Sequence, residues 1–423
     1  MTTPQTLAQK IVARAAGCDS VTPGEIVTCK VDLAMMHDSG GPRRVKPMLD
    51  KLGAKVWAPD KVVVITDHYL PANDDESQRI LRTAREWVKE AGVARFHDAV
   101  GICHVVLPEQ GYLKPGMFAV GGDSHSTTGG AFGAYMFGIG STEMLGVLVT
   151  GEIWLKVPHT ILIEWSGAFT DGVAAKDAML FMCGQLGMDG GQYQAVQYAG
   201  SAIAALPMQE RMTLANMAAE LGAQAGLIAP DEVTRQYLAG AGVADIDLDT
   251  WQTDANATLL AHHRFDGARL EPQVAAPHSP ANSAPATAHR GTRVDIAYIG
   301  ACTGAKLADL RMAARVLRGK RVASGVRFMV APASLKDQQT AHAEGTLGVL
   351  LDAGAELLPN ACGACAGYGD YRFPADSVAI ASTARNFKGR MGATSSQVYL
   401  GSPYTVAASA LTGGICDPRE FLQ

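Results

Sequence analysis

The sequence lacks long apolar runs, a strong charge of one sign and a large share of aromatic residues, which make up 6% of the chain. No apolar run approaches the ~20 residues that span a bilayer. The opening segment MTTPQTLAQKIVARAAG lacks the apolar core of a signal peptide. A formal charge of −5 gives no electrostatic case for a nucleic-acid partner. We therefore expect a soluble, cytoplasmic protein that binds neither membranes nor nucleic acid.

A disulfide framework is missing as well. The eight cysteines are spread from Cys18 to Cys416 without the spacing typical of small disulfide-rich domains, so we expect reduced thiols. The chain has instead a hydrophobic share of 48% and 46 glycines over 423 residues. This length fits roughly two to four domains. Glycine-rich loops let the backbone approach a ligand closely, which is typical of a site built from loops.

Short apolar runs alternate with helical patterns along the chain. The β-branched run KVVVIT (61–66) precedes an amphipathic segment at 74–92, and RVDIAYIG (293–300) precedes the helical LADLRMAARVLRG. This alternation favours an α/β fold with largely parallel sheets covered on both faces. The segment 272–290 is rich in Pro, Ala and Ser and has no periodicity. We predict that it is a linker between a region at 1–271 and an α/β unit at 291–423.

Carboxylates and histidines cluster beside predicted strand ends and glycines. Asp67 and His68 directly follow the strand 61–66, at the place where open α/β sheets bind ligands. Asp123 and His125 would share one face if their segment is extended. The other members of the set are His104 and Glu220. Histidines paired with carboxylates suit proton transfer near neutral pH, so we expect an acid–base site.

Each of these residues also has a purely structural interpretation. His104 fits a core histidine, and Asp67 fits a helix cap. Glu220 fits a solvent-facing position on a helix, and the segment from Asp123 to His125 fits an ordinary turn. Their coincidence at strand ends and beside glycines raises the case for a site without deciding it.

The stretch LPNACGACAGYG places Cys362 and Cys365 three positions apart. Such a pair fits a redox dithiol, half of a zinc site or part of an iron–sulfur site. Cys302 supplies a third thiol between a predicted strand and a helix, whose N-terminus would stabilise a thiolate. Closed zinc sites and ferredoxin-type clusters use four protein ligands, whereas three ligands leave a metal open to substrate. The remaining cysteines are interpreted as structural: Cys18, Cys29, Cys103, Cys183 and Cys416.

Two arginines follow a predicted strand in the C-terminal unit, in the stretch STARNFKGR. Guanidinium groups bind carboxylates with two parallel hydrogen bonds, so Arg385 and Arg390 are candidates for holding a di-acid. Surface salt bridging is the commoner role of an isolated arginine and is the alternative here.

Together these stretches resemble the aconitase superfamily, and most closely its isopropylmalate dehydratase branch. The resemblance runs nearly end to end. It is carried by ordered motifs that include MMHDSGGP, TDHYLP, GGDSHSTTGGAFG, EIWLKVP, EPQVAAPHSP, IGACTG, CGAC and RNFKGRMG. It implies three α/β/α units, the third of which carries the cysteines. It also implies that a fourth, swivelling domain is absent from the chain and is supplied by a separate small subunit in a heterodimer.

The resemblance further implies a cofactor and roles for the polar residues. A 4Fe–4S cluster would be held by Cys302, Cys362 and Cys365. The implied proton-handling pairs are Asp67–His68, Asp123–His104 and Glu220–His125, and the implied substrate-binding residues are Asn216, Asn386, Arg385 and Arg390. The implied reaction is the dehydration or hydration of a small 2-hydroxy dicarboxylate or tricarboxylate, with leucine biosynthesis as the setting for isopropylmalate.

The chain departs from the family pattern beside the cysteines. Where relatives carry Ser-Cys-Thr-Asn-Gly-Arg, this chain has Ala301, Gly304 and Lys306 around Cys302. Ala384 stands in place of an asparagine, and the CGAC motif continues as Ala-Gly-Tyr instead of Leu-Gly-Gly. Lost hydrogen-bond donors beside a cluster can retune it or reshape the pocket. Dimethylmalate, methylmalate and homoaconitate chemistry therefore stand beside isopropylmalate. An RNA-binding regulator and an electron carrier are the alternatives of another class.

Overall fold

The computed structural model describes residues 3–368 and 371–422 and is built around three large sheets. The first unit contains α1 (Leu7–Ala16), β1 (Ile26–Lys30), β2 (Leu33–His37), α2 (Pro42–Leu52), β3 (Val62–Thr66), α3 (Asp75–Glu90), β4 (Arg95–Asp98), α4 (Cys103–Glu109), β5 (Phe118–Gly121), β6 (Tyr135–Gly138), α5 (Ser141–Thr150) and β7 (Glu152–Lys156). Its five-stranded parallel sheet has the order β4-β3-β2-β5-β6. Strands β2 and β3 are buried throughout, which explains their continuous apolar sequences.

The second unit carries a four-stranded parallel sheet with the order β10-β9-β8-β11. Its elements are β8 (Thr160–Ser166), α6 (Ala175–Leu186), β9 (Ala195–Ala199), α7 (Ser201–Ala204), α8 (Met208–Met217), β10 (Ala225–Ile228), α9 (Glu232–Gly240) and β11 (Ala261–Asp266). Helix α8 packs on the 3₁₀ helix Ser124–Phe132 of the first unit. This packing brings the first two units together at the segment that carries Asp123 and His125.

The third unit contains a seven-stranded mixed sheet with the order β13-β12-β18-β17-β14-β15-β16. Its elements are β12 (Gln273–Ala275), β13 (Ser283–Pro285), β14 (Ile296–Ile299), α10 (Leu307–Leu317), β15 (Arg327–Val330), α11 (Leu335–Ala343), α12 (Thr346–Asp352), β16 (Glu356–Leu357), β17 (Val378–Ala381), β18 (Gln397–Gly401) and α13 (Pro403–Thr412). The expected α/β class with largely parallel sheets and helices is therefore confirmed.

The helix predicted at 74–92 shows why the sequence signals work locally. It runs from Asp75 to Glu90, and the Asp74 side chain caps it by accepting a hydrogen bond from the Ser77 amide. Its apolar residues face inward, and Gly92 follows with a positive φ of 70°. The predicted strands 61–66 and 293–300 appear as β3 and β14. No helix among the described residues combines the length and the apolar character needed to cross a bilayer.

The segment 272–290, which the sequence predicts to be a linker, has regular structure of its own. Strand β12 pairs antiparallel with β13 and with β18, so this segment extends the third sheet. A short antiparallel ladder depends on backbone hydrogen bonds and needs no apolar periodicity. For this reason the sequence pattern does not reveal it.

Candidate active site

The first feature of the site is a buried acid–histidine pair at the end of β3. His68 Nδ1 lies 2.6 Å from Asp67 Oδ1, and the other carboxylate oxygen accepts the Cys103 amide at 2.7 Å, where α4 begins. Burial opposes the charges, but the charges of the pair reinforce each other. The pKa of Asp67 is lowered to about 2 by His68, and the pKa of His68 is raised to about 10 by Asp67. Asp67 therefore orients His68 and also accepts the first amide of α4, whereas the cap of the next helix, which the sequence left as an alternative for Asp67, is Asp74.

Two residues that hold this pair, His37 and Asp38, are not among the predicted site residues. Asp38 is fully buried and accepts the backbone amides of Asp67, His68 and Tyr69 at 3.2, 3.0 and 2.7 Å. Because β2 and β3 are parallel neighbours, Asp38 follows β2 at the same sheet edge where Asp67 follows β3. The strand-end rule that found Asp67 would have found Asp38 if it had been applied to the run LAMMH.

The His37 ring stacks on His68 with 4.1 Å between ring centroids and 22° between planes. Its Nε2 donates to the Gly122 carbonyl at 2.9 Å, and its Nδ1 accepts the Ser39 amide at 3.2 Å. Burial, together with the neighbouring charge of His68, lowers the pKa of His37. His37 is thus a neutral ring that fixes the plane of a protonated one.

Asp123 joins two further histidines of the first unit, His104 and His125. Its Oδ1 lies 2.8 Å from His104 Nε2 and 3.6 Å from His125 Nδ1, and the two rings are almost perpendicular. Burial opposes ionisation, but hydrogen bonding and charge from His104 hold the pKa of Asp123 well below its usual range. His104 is therefore a partnered histidine near the start of α4. The segment is not extended, which was the condition for Asp123 and His125 to share one face, since Asp123 caps the 3₁₀ helix 124–132.

Glu220 connects the second and third units at the site. It is fully buried after the end of α8, so the solvent-facing alternative is wrong. One of its oxygens contacts both His125 Nε2, at 3.1 Å, and Arg385 Nε. Although burial opposes it, the charges of His125 and Arg385 lower the pKa of Glu220. The structure thus joins Asp123, His125, Glu220 and Arg385 in one chain of charges.

The three cysteines of the third unit lie within electrostatic reach of one another, and all eight cysteines are free thiols. A hydrogen bond from Cys362, aided by the charge of Arg390, lowers the pKa of Cys365 to about 5. The same hydrogen bond and burial raise the pKa of Cys362 well above its usual value. The Cys362 amide donates to the Asp67 carbonyl at 2.8 Å, which connects the cysteines to the acid pair.

The surroundings of Cys302 differ from the sequence-based expectation. Helix α10 begins only at Leu307, and burial raises the pKa of the Cys302 thiol to about 12. The expected stabilisation of a thiolate by the helix N-terminus is therefore wrong. The contact to Cys302 comes instead from Asn216, whose Nδ2 lies 3.2 Å from the sulfur. The second unit thus reaches the cysteines directly.

Lys306 and Gly304 show how the chain accommodates its departures from the family pattern. The buried Lys306 ammonium has three acceptors: the Cys302 carbonyl and the Thr213 hydroxyl at 3.0 Å, and Asp309 at 2.7 Å. A Cβ on Gly304 would lie 2.2 Å from Ser382 Oγ, so an asparagine there has no room. Ala301 has a positive φ of 67°, which places its strained backbone beside Cys302.

The two remaining predicted residues have different surroundings. Arg390 is half-buried, and its charge interacts with the Cys365 thiol, whose pKa it helps to lower. Asn386 donates to the backbone carbonyls of Ala276 and Val398 at 3.0 and 2.9 Å. These bonds give Asn386 a structural role, and its described contacts do not include the cysteines or histidines.

The donor set fits an iron–sulfur cluster better than a single ion. Buried thiolates are the ligands that such clusters use. Among the described residues, the atoms that are buried without a hydrogen-bond partner include three at the site: Asn216 Oδ1, Glu220 Oε2 and Arg390 Nε. Unsatisfied buried groups are costly and concentrate where a ligand or cofactor completes the structure. Among the described residues, two groups of three or more His, Cys, Asp or Glu side chains have ligand atoms within 4.8 Å of one another, and both contain only histidines and aspartates. They are His37, Asp38, Asp67 and His68, and His104, Asp123 and His125.

Comparisons with known proteins agree with this geometry. A family model described as the aconitase family (aconitate hydratase) matches residues 9–413. A 3-isopropylmalate dehydratase large subunit from Methanopyrus kandleri is 42% identical over 99% of this chain and 100% of its own length. A probable methanogen homoaconitase large subunit from Methanothermobacter thermautotrophicus is 40% identical over 98% of this chain and 97% of its own.

One solved structure shares the fold. Aconitase X from Thermococcus kodakaraensis, in its holo form, aligns with a TM-score of 0.50 at 14% identity. The alignment covers 85% of this chain and 84% of that one. At this identity the likeness extends to the fold and not to the residues of the site.

Proposed function

The chain belongs to the aconitase family, and we propose that it is the large subunit of an iron–sulfur hydro-lyase of the 3-isopropylmalate dehydratase type. One observation carries this proposal. Three histidine–carboxylate pairs from two units converge with three thiols from a third, of which Cys302 and Cys365 are buried and Cys362 is half-buried. An electron carrier does not require the proton-transfer residues. A dithiol oxidoreductase does not require a third thiol and two arginines.

Cys302, Cys362 and Cys365 would hold a 4Fe–4S cluster. Such a cluster supplies an iron with an open position, which acts as a Lewis acid on a substrate hydroxyl and carboxylate. Asn216 donates to the Cys302 sulfur at 3.2 Å, and the positive charge of Arg390 helps to lower the pKa of the Cys365 thiol. Hydrogen bonds of this kind orient ligands and tune the metal group.

The acid–histidine pair would supply the proton for dehydration. His68 is protonated at neutral pH, and its Nδ1 is held by Asp67, which leaves Nε2 to donate to the departing hydroxyl. As the carbon–oxygen bond breaks, a base removes the proton from the neighbouring carbon, and a carbon–carbon double bond and water form. We assign that base to the small subunit, because the described carboxylates of the site are already committed to histidine or arginine partners.

Two carboxylates of the substrate would meet Arg385 and Arg390. Arg385 keeps most of its donors beyond its contact with Glu220, and the Arg390 Nε has no partner among the described residues. Paired guanidinium groups recognise a di-acid with good geometry. The proposed substrate class is therefore a 2-hydroxy dicarboxylate, with leucine biosynthesis as the setting for isopropylmalate.

A heterodimer in the cytoplasm is part of the same proposal. The relatives' names include the words large subunit, which supports a separate small subunit as partner. All eight cysteines are unpaired, which suits a reducing compartment.

The test is an absorbance assay for the unsaturated product. The chain, reconstituted anaerobically with iron and sulfide and mixed with its small subunit, should convert isopropylmalate, dimethylmalate or methylmalate. The chain without the small subunit should be inactive. No activity on any of these acids with an intact cluster would contradict the proposed reaction. RNA binding by that protein would favour an RNA-binding regulator instead.

A further inference from the structure

A column of flat side chains runs from the core of the first unit to the edge of the site. His37 stacks on His68, and His68 and Tyr368 make an edge-to-face contact with ring centroids 6.3 Å apart at 61°. Tyr368 in turn stacks on Tyr69 at 4.7 Å and 27°. The Arg43 guanidinium ends the column, 5.0 Å from the centre of the Tyr69 ring. His68, the acid of the proposed reaction, is thus connected by ring contacts to Tyr368 and, through it, to Tyr69.

Both tyrosines are anchored by the catalytic framework itself. Tyr69 follows His68 directly, and Asp38 fixes its backbone amide at 2.7 Å. Tyr368 comes three residues after Cys365, and its amide donates to the Gly363 carbonyl at 3.2 Å. The two histidines of the column are buried, whereas both tyrosines are half-buried. Tyr69 and Tyr368 therefore form an aromatic wall beside the acid that is partly exposed to solvent.

The position of this wall makes it a neighbour of the substrate. His68 is covered by His37 on one side and bound by Asp67 at Nδ1, so a substrate reaches it from its remaining side. The Tyr368 ring also neighbours His68, with 6.3 Å between ring centroids, and it stands where the family pattern has glycine. An acid that reaches His68 therefore comes close to a phenol ring that the family pattern lacks.

The chemistry of the wall favours an alkyl group over a charge. Aromatic faces are apolar and carry negative potential, so they pack against alkyl groups and disfavour a carboxylate. The nearby cation is already engaged: Arg43 Nε donates to the Ser39 carbonyl at 2.7 Å, and its Nη1 lies 3.9 Å from Glu76. The two site arginines account for the two carboxylates of a malate core.

We propose that the Tyr69–Tyr368 wall determines specificity, selecting a malate with an uncharged alkyl substituent over one that carries a further carboxylate. This inference rests on the proposed function and narrows its substrate class. It assigns to the large subunit a share of the discrimination between isopropylmalate and homocitrate.

The test compares kcat/KM for isopropylmalate and homocitrate in the reconstituted two-subunit enzyme. The wild type should prefer isopropylmalate. Tyr368→Leu should shift the ratio of the two kcat/KM values at least about tenfold toward homocitrate, since pocket contacts of this size are worth that much discrimination. Tyr368→Phe keeps the ring and should keep the ratio within about twofold. Tyr193→Leu, which removes an exposed tyrosine, is the matched control.

Several outcomes separate this inference from the proposed function. An active wild type whose ratio is unchanged in Tyr368→Leu and in Tyr69→Leu would overturn the inference alone. A preference for homocitrate that Arg43→Gln abolishes would overturn it as well, because Arg43 would then be a carboxylate anchor. No activity on either acid or on other malates, with an intact cluster, would overturn the proposed function and the wall's role with it. Tyr69→Leu also decides the matter if Tyr368→Leu fails to fold.

Discussion

The site has a histidine side and a cysteine side, and they differ in how their polar atoms are satisfied. The histidine side consists of Asp67, His68, His104, Asp123 and His125 with their supports His37 and Asp38. The cysteine side consists of Cys302, Cys362 and Cys365 with Asn216 and Arg390. On the first, carboxylates and ring nitrogens pair within hydrogen-bond distance. On the second, neighbouring thiols shift each other's pKa in opposite directions, and buried polar atoms lack partners.

This difference separates the part of the site that the chain completes by itself from the part that a bound cofactor would complete. The histidine side is complete in the folded protein, so its proton-transfer geometry is set before any substrate arrives. The cysteine side gathers groups whose proximity is unfavourable unless something satisfies them together. We therefore expect substitutions on the histidine side to lower the catalytic rate and substitutions on the cysteine side to lower the iron and sulfide content of the enzyme.

The largest expected effect is on the cysteine side. Cys362→Ser should lower hydro-lyase activity by at least about a thousandfold, since catalysis through the open metal position would be lost. The matched control is Cys18→Ser, which changes an exposed cysteine and should keep full activity. Steady-state rates of the reconstituted two-subunit enzyme check both. A Cys362→Ser enzyme with near wild-type rates would show that activity does not depend on a cluster held by Cys362.

The next effect is on the histidine side. His68→Gln should lower kcat by about a hundredfold to ten-thousandfold, the usual loss for a general acid, and leave the cluster in place. His262→Gln removes a partly exposed histidine that pairs with Glu164 at 2.8 Å and should have no effect on kcat. If His68→Gln also lost its iron, the histidine side would be part of the cluster's support.

A smaller effect is expected at the residue that holds the acid pair. Asp38→Asn replaces an acceptor of three backbone amides with a group that can no longer accept all of them. The free energy of unfolding should fall by about 1–3 kcal/mol, and kcat should fall with it. Asp247→Asn is the control, since Asp247 accepts two amides on an exposed turn. Urea unfolding measures both, and equal losses would show that burial of Asp38 does not matter.

The smallest effect is a pH dependence of stability. The pKa of His68 is raised to about 10 and that of Asp67 is lowered to about 2. The contribution of His68 is fully present below its unfolded pKa, near 6.5, and is lost as pH rises toward 10. The contribution of Asp67 is present above about pH 4 and is lost as pH falls toward 2. The wild type's advantage over His68→Gln should therefore be larger at about pH 5.5 than at about pH 8.5. Urea unfolding at both pH values measures it, and a pH-independent advantage would contradict the ion pair.

The sequence predicts the parts of the fold and site that depend on local patterns. The buried run 61–66 and the acid cluster at Asp74 locate β3 and α3, and the strand-end rule locates Asp67 and His68. The family resemblance supplied the pairing of His104 with Asp123 across 19 positions and of His125 with Glu220 across 95. No local periodicity encodes such pairs, because they depend on how helices α4 and α8 pack.

What the sequence does not reveal lies in tertiary contacts. The strand-end rule indicates Asp38, but the contacts of His37 and Asp38 with Asp67 and His68 depend on the pairing of β2 with β3. The ladder within 272–290 has no apolar period. The division of the chain at 271 and 291, and the roles of the individual site residues, stay predictions.

The most direct measurement is the iron and sulfide content of the anaerobically reconstituted chain, for wild type, His68→Gln and Cys362→Ser. If the cysteine side is built for a cluster and the histidine side is complete without one, wild type and His68→Gln should each bind about four irons and four sulfides. Cys362→Ser should bind almost none. A single bound ion in the wild type, or a full complement in Cys362→Ser, would contradict this account of the site.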